Sequence, residues 1–318
     1  MKNANFSSKK CFILAISFLI ITNSITFGYF FYKNRPNAVR SAQNPYPFID
    51  IARSFVEQKH FLSSIEPVRV QMKELVQKYQ KEGHRVGVYF EFLNTGANVS
   101  INQDERFWPA SLSKMPTVLA VMKKIEIGEW KLSNELVVFA EDQDERFGEV
   151  YKKAPGTRLT IEELLKETLI NSDNTSHRML VRNLSSEDYT NIFAALGMEQ
   201  LFNENYDITA KEYSRIFRAL YTASYLNREN SQQILSWLSQ TSFDEFLQSG
   251  VPSDILFSYK IGEEFEQVIF LDSGIVYVPN RPYLITVMVE VADGYGVEKA
   301  QEIMKELSSS AYTYVASN

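Results

Sequence analysis

The segments of this chain with the strongest strand pattern lie towards its two ends, and this placement limits the folds open to it. Short runs rich in Val, Ile, Phe and Tyr cover residues 84–93 and 97–102 on one side and residues 255–261, 267–278 and 283–291 on the other. Such runs are typical of strands, and the turn residues between neighbouring runs indicate antiparallel hairpins. Since these runs can share a sheet only if the chain returns on itself, we expect one antiparallel sheet of about five strands.

The long middle of the chain has the apolar period of helices from residue 111 to about residue 247. Thr160 and Ser185 each stand three positions before an acidic residue, which is the signature of a helix N-terminus. Two further helices are expected over residues 62–81, before the first strand, and residues 297–312, after the last.

These elements predict a chain of the α/β class, of the α+β type, with a five-stranded antiparallel sheet flanked by the N- and C-terminal helices. The sheet lobe is expected over about residues 41–105 and 251–318, and an all-helical lobe over about residues 106–250. A cleft between two such lobes is the default position for a binding site.

An uncharged apolar run covers residues 11–32 and has lysines on both sides. As a helix it would extend roughly 33 Å, enough to cross a bilayer core of roughly 30 Å. Its length and the aromatic residues at its far end favour one transmembrane helix that anchors the protein in the cell membrane. We therefore expect residues 1–40 to form an anchor and tether, and residues 41–318 a folded domain outside the cytoplasm. The alternative is a signal peptide whose cleavage releases a secreted protein.

The charges are unevenly placed along the chain. Residues 1–40 hold six basic and no acidic residues, which leaves residues 41–318 with 27 basic and 39 acidic residues, a net charge of −12. That balance excludes a typical nucleic-acid-binding surface. The single cysteine, Cys11, excludes an internal disulfide and a cysteine-based zinc cluster, and only three histidines are available for a metal site. We expect no metal and no cofactor; the oligomeric state stays open.

One candidate nucleophile stands at the start of the first central helix, in the run WPASLSKMPT of residues 108–117. Ser111 and Lys114 are three residues apart, so a helix places them one turn apart on the same face. A serine hydroxyl needs a nearby base, and a lysine whose pKa is lowered by burial can act as one. Taken alone, the pair is better explained as an N-cap serine and a surface lysine.

Two further short motifs lie downstream. Ser172, Asp173 and Asn174 follow the helical run that ends at residue 170, and there Asp173 could brace a loop that carries a hydroxyl and an amide into the cleft. Lys260 and Gly262 flank Ile261 in the first late strand, where the glycine could leave room for a ligand beside the strand.

Ser-x-x-Lys, Ser-Asp-Asn and a Lys-x-Gly strand, in this order, form the signature of class A β-lactamases and penicillin-binding proteins. The chain resembles that superfamily over about residues 62–312, and it is most similar to class A β-lactamases. The resemblance implies a serine hydrolase that opens β-lactam amide bonds through an acyl-enzyme. A β-lactam or a D-alanyl peptide is the substrate that it implies.

The resemblance also implies a role for each motif residue. Ser111 would attack the carbonyl carbon, and Lys114 would be its base or part of the proton relay. Ser172 would pass a proton to the leaving nitrogen, while Lys260 would polarise that hydroxyl and attract the substrate carboxylate.

Three residues would bind the substrate. Asn174 would orient both Lys114 and the substrate side chain. Gly262 would line the strand beside the ligand. The backbone N–H groups of Glu263 and Ser111 would form the oxyanion hole.

The sequence departs from the family pattern in two places. Ile261 stands where relatives have a hydroxyl residue that binds the substrate carboxylate, and Glu263 and Glu264 follow it, so we expect anionic substrates to bind weakly. The connection over residues 197–208 is too short for the family's omega loop, which carries the glutamate that activates water. Glu199 and Glu204 lie in this connection, but no spacing argument assigns either one as catalytic.

Three hypotheses follow from these observations. The first is a membrane-anchored β-lactamase. The second is a penicillin-binding-type D-alanyl-D-alanine carboxypeptidase or acyltransferase that releases its acyl group slowly. The third is a catalytically weak module that binds the cell wall or a partner.

Overall fold

The computed structural model describes residues 46–49, 64–198, 206–266 and 268–317. Within these ranges the chain forms eight helices and seven strands. In chain order they are α1 (Glu66–Lys81), β1 (Arg85–Phe92), β2 (Ala97–Ile101), α2 (Lys114–Glu126), β3 (Glu135–Val137), β4 (Arg158–Thr160), α3 (Ile161–Ile170), α4 (Asn174–Val181), α5 (Ser186–Leu196), α6 (Ala210–Tyr221), α7 (Arg228–Leu238), β5 (Phe257–Glu264), β6 (Ile269–Val276), β7 (Tyr283–Glu290) and α8 (Val297–Ser317).

The main sheet has five antiparallel strands in the order β2-β1-β7-β6-β5, so the two ends of the domain meet where β1 pairs with β7. In that pair Val88 lies opposite Val287. The predicted five-stranded sheet is therefore confirmed. β5 is an edge strand, which leaves one side of its backbone free of strand partners.

Both faces of the sheet are covered. Helices α1 and α8 bury one face in a core that includes Val76, Phe90 and Leu307. Helix α6 contacts β1, β6 and β7 from the other side, where Phe217 is part of a second core shared with the helical lobe. Because both faces are buried, all eight residues of β6 are buried, including the polar Asp272 and Ser273.

The helices begin where the capping pattern predicts. Thr160 accepts a hydrogen bond from the backbone N–H of Glu163 at 3.2 Å, and Ser185 accepts one from Asp188 at 3.3 Å. Each acidic side chain bonds back to the N–H of its cap residue, so both N-termini are closed capping boxes.

Two details differ from the prediction. The lobe expected to be all-helical contains a small sheet, in which β3 pairs with β4 from Glu135 opposite Thr160 to Val137 opposite Arg158. Three-residue strands are too short to show an alternating pattern in the sequence. The last helix also runs on to Ser317, past the expected end at residue 312.

The predicted anchor, residues 11–32, lies outside the described residues and stays a prediction. In the part of the chain that the structure describes, none of the helices has the length and apolar character needed to cross a membrane.

Candidate active site

Ser111 lies in a tight 3-10 turn, Ala110–Ser113, that leads directly into α2. Ala110, just before it, has a φ of 45°, a left-handed conformation that non-glycine residues rarely adopt. The turn is held from below because Leu112 is fully buried and its carbonyl accepts a hydrogen bond from the Tyr213 hydroxyl at 3.1 Å. Ser111 therefore sits on a rigid turn, on the wall of an open cleft of about 600 Å³.

Lys114 begins α2 one turn after Ser111 and is only 3% exposed. Its Nζ donates to Asn174 Oδ1 at 2.7 Å, to Ser172 Oγ at 3.2 Å and to the Ser172 carbonyl. Burial lowers its pKa to about 7, although the carboxylates of Asp173 and Asp144 act in the opposite direction. About half of the Lys114 amine is therefore neutral near pH 7, and a neutral amine can accept a proton.

Ser172 lies between the two buried lysines. Lys260 Nζ donates to its Oγ at 2.9 Å and to the Ile261 carbonyl at 3.1 Å. Burial, followed by the charge of Lys114, lowers the pKa of Lys260 well below its ordinary value. Ser172 has a φ of 52°, so strained backbone occurs on both sides of the cleft. The hydroxyl is in contact with two amines and can relay a proton between them and a leaving group.

Asp173 braces this loop, as the sequence predicts. It is fully buried and caps α4, with Oδ1 accepting from the N–H of Ser176 at 2.6 Å. Its Oδ2 accepts from the N–H of Val150 at 2.9 Å, which ties the loop to a neighbouring segment. The two bonds fix the position of Ser172 without placing Asp173 in the cleft.

Strand β5 packs directly against the Ala110–Ser113 turn at Gly262. A Cβ at this position would lie 3.0 Å from the Pro109 carbonyl oxygen and 3.2 Å from the Leu112 nitrogen. The absence of a side chain at Gly262 therefore lets the strand approach this turn, and a role of Gly262 in binding a ligand stays a prediction. The close approach lets Glu263, the next residue, line the same cleft as Ser111.

The structure thus brings together the residues predicted from the three motifs, and their roles stay predictions. Ser111, Lys114, Asn174 and Glu263 line the cleft, and Ser172 and Lys260 lie buried beneath it. Ile261 is only 3% exposed and belongs to the core that the sheet forms with helices α1 and α8. Glu199 and Glu204 lie outside the described residues.

Three polar residues of the site are not evident from the sequence. Asp144 is buried and its Oδ1 accepts from Asn174 Nδ2 at 3.2 Å. Arg146 holds Asp144 in a forked ion pair with a shortest distance of 2.7 Å, and this bond holds the pKa of Asp144 below its usual range. Both lie in a loop with no periodic pattern, and Asp144 is 30 residues before Asn174.

The third is His177, which also lines the cleft and lies one turn beyond Asn174 on α4. Its Nε2 lies 2.9 Å from Thr117 Oγ1. Burial, followed by the charge of Lys114, lowers its pKa to about 3, so the ring is neutral at neutral pH. The three-residue spacing of Asn174 and His177 on one helix is the sequence signal that could have predicted this position. Within the described ranges, no three side chains of metal-ligating types come together.

The contact between Asp144 and Asn174 leads to a prediction about the pH dependence of acylation at Ser111. Asp144 raises the pKa of Lys114 and Arg146 lowers it, so Asp144→Asn removes the carboxylate and leaves the arginine. The Lys114 pKa then falls, and the midpoint of the pH dependence of Ser111 acylation moves below about 7. The asparagine can still accept the bond from Asn174.

Glu145→Gln, a matched change at the exposed neighbour, is expected to leave the midpoint in place, and an unmoved midpoint in Asp144→Asn would contradict the coupling.

Comparison with known proteins identifies a family whose model matches most of this chain. The model of the Beta-lactamase enzyme family matches residues 67–315. A β-lactamase from Streptomyces fradiae is 25% identical over 223 residues, which cover 63% of this chain and 72% of that protein. The β-lactamase VEB-1 from Pseudomonas aeruginosa is 23% identical over 255 residues, 72% of this chain and 85% of that protein.

Two solved structures share the fold. PBP-A superimposes with a TM-score of 0.71 at 20% identity, over 78% of this chain and 96% of that chain. A β-lactamase from Sphaerobacter thermophilus DSM 20745 gives a TM-score of 0.72 at 21% identity, over 78% of this chain and 98% of that chain. At these identities the structures establish the architecture, whereas the family model covers most of the chain. The chain belongs to the beta-lactamase enzyme family.

Proposed function

We propose that the protein is a serine hydrolase that opens β-lactam amide bonds through an acyl-enzyme on Ser111. The observation that carries the proposal is the pair of buried lysines around Ser172, with the pKa of Lys114 lowered to about 7. A buried amine that can lose its proton near neutral pH is what a serine nucleophile needs beside it.

The contacts around Ser172 support an acylation step in which each proton has a donor and an acceptor. Neutral Lys114 takes the proton of Ser111 Oγ, which attacks the amide carbon, and the backbone N–H groups of Ser111 and Glu263 stabilise the oxyanion. As the C–N bond breaks, Ser172 Oγ gives its proton to the leaving nitrogen and recovers one from Lys114, 3.2 Å away. Lys260, 2.9 Å from the same oxygen, stabilises the hydroxyl while it gives up its proton.

A second candidate is a penicillin-binding-type carboxypeptidase or acyltransferase that keeps its acyl group for longer. The observation that favours it is the short connection between α5, which ends at Leu196, and α6, which begins at Ala210. One solved structure of PBP-A, a mutant form, is an acyl-enzyme complex with penicillin G. The two candidates share acylation and differ in the rate at which the acyl-enzyme is hydrolysed.

Intact-mass measurement of the protein during incubation with benzylpenicillin separates these candidates. A hydrolase is expected to consume the penicillin while little adduct accumulates, and a penicillin-binding-type enzyme is expected to hold a persistent adduct. Ser111→Ala is the control, and it is expected to form no adduct and to release no product. Neither adduct nor product from the unmodified protein would leave only the third hypothesis, a module that binds without reacting.

A further inference from the structure

The two walls of the cleft mouth differ in charge. The end of β5 and the turn after it contribute Glu263, Glu264 and Glu266, and the loop before α4 contributes Arg146. The hydrogen bond to Asp144 is the largest cause that raises the pKa of Arg146, and Glu264 and Glu266 raise it to a smaller extent. The glutamates therefore lie near Arg146 at the mouth while its guanidinium is bound elsewhere.

Basic side chains compensate the three glutamates only at a distance, Arg146 for Glu264 and Glu266, and Lys260 for Glu263. Across the described ranges none of them forms a salt bridge, and Arg146 is committed to Asp144 through its Nε and Nη2 atoms. Glu263 is half-buried, and burial together with Glu245 raises its pKa. A carboxylate in this condition gains stability from any cation that enters the cleft.

The same mouth presents two aromatic rings to solvent. Phe265 is 55% exposed and Trp108 is 37% exposed, and both line the cleft with the glutamates. Aromatic faces attract cations through their quadrupole, and beside carboxylates they make a favourable site for an ammonium group.

The groups that would hold a substrate carboxylate are occupied or turned away. Ile261 offers no hydroxyl and its side chain packs into the core. Lys260 is 1% exposed, and its amine donates hydrogen bonds to the Ser172 hydroxyl and to the Ile261 carbonyl. With three glutamates at its mouth and one arginine that is bound to Asp144, the cleft therefore favours positive charge over negative charge.

We propose that the cleft selects acyl donors that carry an ammonium group, as a peptide with a free diamino-acid side chain does, and that Glu264 and Glu266 recognise this group. The inference rests on the proposed function, since the acyl donor must first react with Ser111. It adds the charge class of the substrate and names the specificity-determining residues.

Benzylpenicillin and ampicillin make a matched pair for the test, because ampicillin differs only by an amine on its acyl side chain. At pH 6.5 that amine is protonated. We expect ampicillin to acylate Ser111 about three- to tenfold faster than benzylpenicillin, measured as the second-order rate constant for adduct formation. Raising the salt concentration to 0.5 M is expected to reduce the ratio, since exposed charges are then screened.

The double variant Glu264→Gln/Glu266→Gln is expected to bring the ratio of rate constants close to one. The control Glu141→Gln/Glu187→Gln changes the net charge equally at two exposed glutamates that do not line the cleft, and is expected to keep the ratio. A ratio of one or below in the unmodified protein, or a ratio that the cleft variant leaves unchanged, overturns this inference alone. Absence of both adduct and hydrolysed product with either penicillin overturns the proposed function instead.

Discussion

Replacing Lys114 by methionine is expected to slow the acylation of Ser111 by about 10²–10⁴-fold, the usual contribution of a positioned general base. Methionine fills the same buried space but cannot accept the proton of Ser111 Oγ. The substitution removes the bonds of the Lys114 amine to Ser172 and Asn174. Because methionine keeps the buried space filled, the loss of rate falls on the chemical step. Rapid-quench mass spectrometry with benzylpenicillin measures the rate constant.

The pH dependence gives this prediction a second readout. In the unmodified protein only the neutral amine acts as base, so acylation is expected to fall about tenfold per pH unit below the Lys114 pKa of about 7 and to level off above it. Lys114→Met is expected to lose this dependence. Lys73→Met, the same change at an exposed position of α1, is expected to keep both the rate and the profile. A Lys114→Met protein that is acylated at the normal rate would assign the base to another group.

The residues whose positions follow from local geometry were predictable from the sequence. Ser111 and Lys114 are one helical turn apart in any helix, and Ser172 and Asn174 flank an aspartate that caps the next helix. The order of the motifs then places Lys260 on a strand beside them. These features depend on neighbours within a few residues or on a signature that spans the whole domain.

Other parts of the site depend on contacts that the sequence does not display. Asp144 reaches Asn174 from a loop without periodicity, and only the folded chain brings them together. The close approach of Gly262 to Pro109 and Leu112 is likewise visible only in the folded chain. The pairing of β3 with β4 involves strands too short for a pattern. In each case the missing information is the packing of two segments distant in sequence.

Gly148→Ala is expected to lower the free energy of unfolding by about 3–5 kcal/mol and to remove most of the acylation of Ser111. Gly148 has a φ of 84°, where a side chain costs about 1–2 kcal/mol. Its Cβ would also overlap the carboxylate of Asp173, which must then move. Movement of Asp173 breaks its bonds to Ser176 and Val150, and a lost cap with an unpaired buried donor costs about 2–3 kcal/mol more.

A matched glycine separates these two contributions. Gly156 has a φ of 93°, and a Cβ there would meet nothing within 4 Å, so Gly156→Ala carries the backbone cost alone. Urea unfolding of both variants is expected to show Gly156→Ala about 1–2 kcal/mol less stable than the unmodified protein, with normal acylation. The further loss in Gly148→Ala then measures what Asp173 contributes to holding Ser172 in place. Equal stability and equal acylation in the two variants would show that the Ser172 loop keeps its position without this brace.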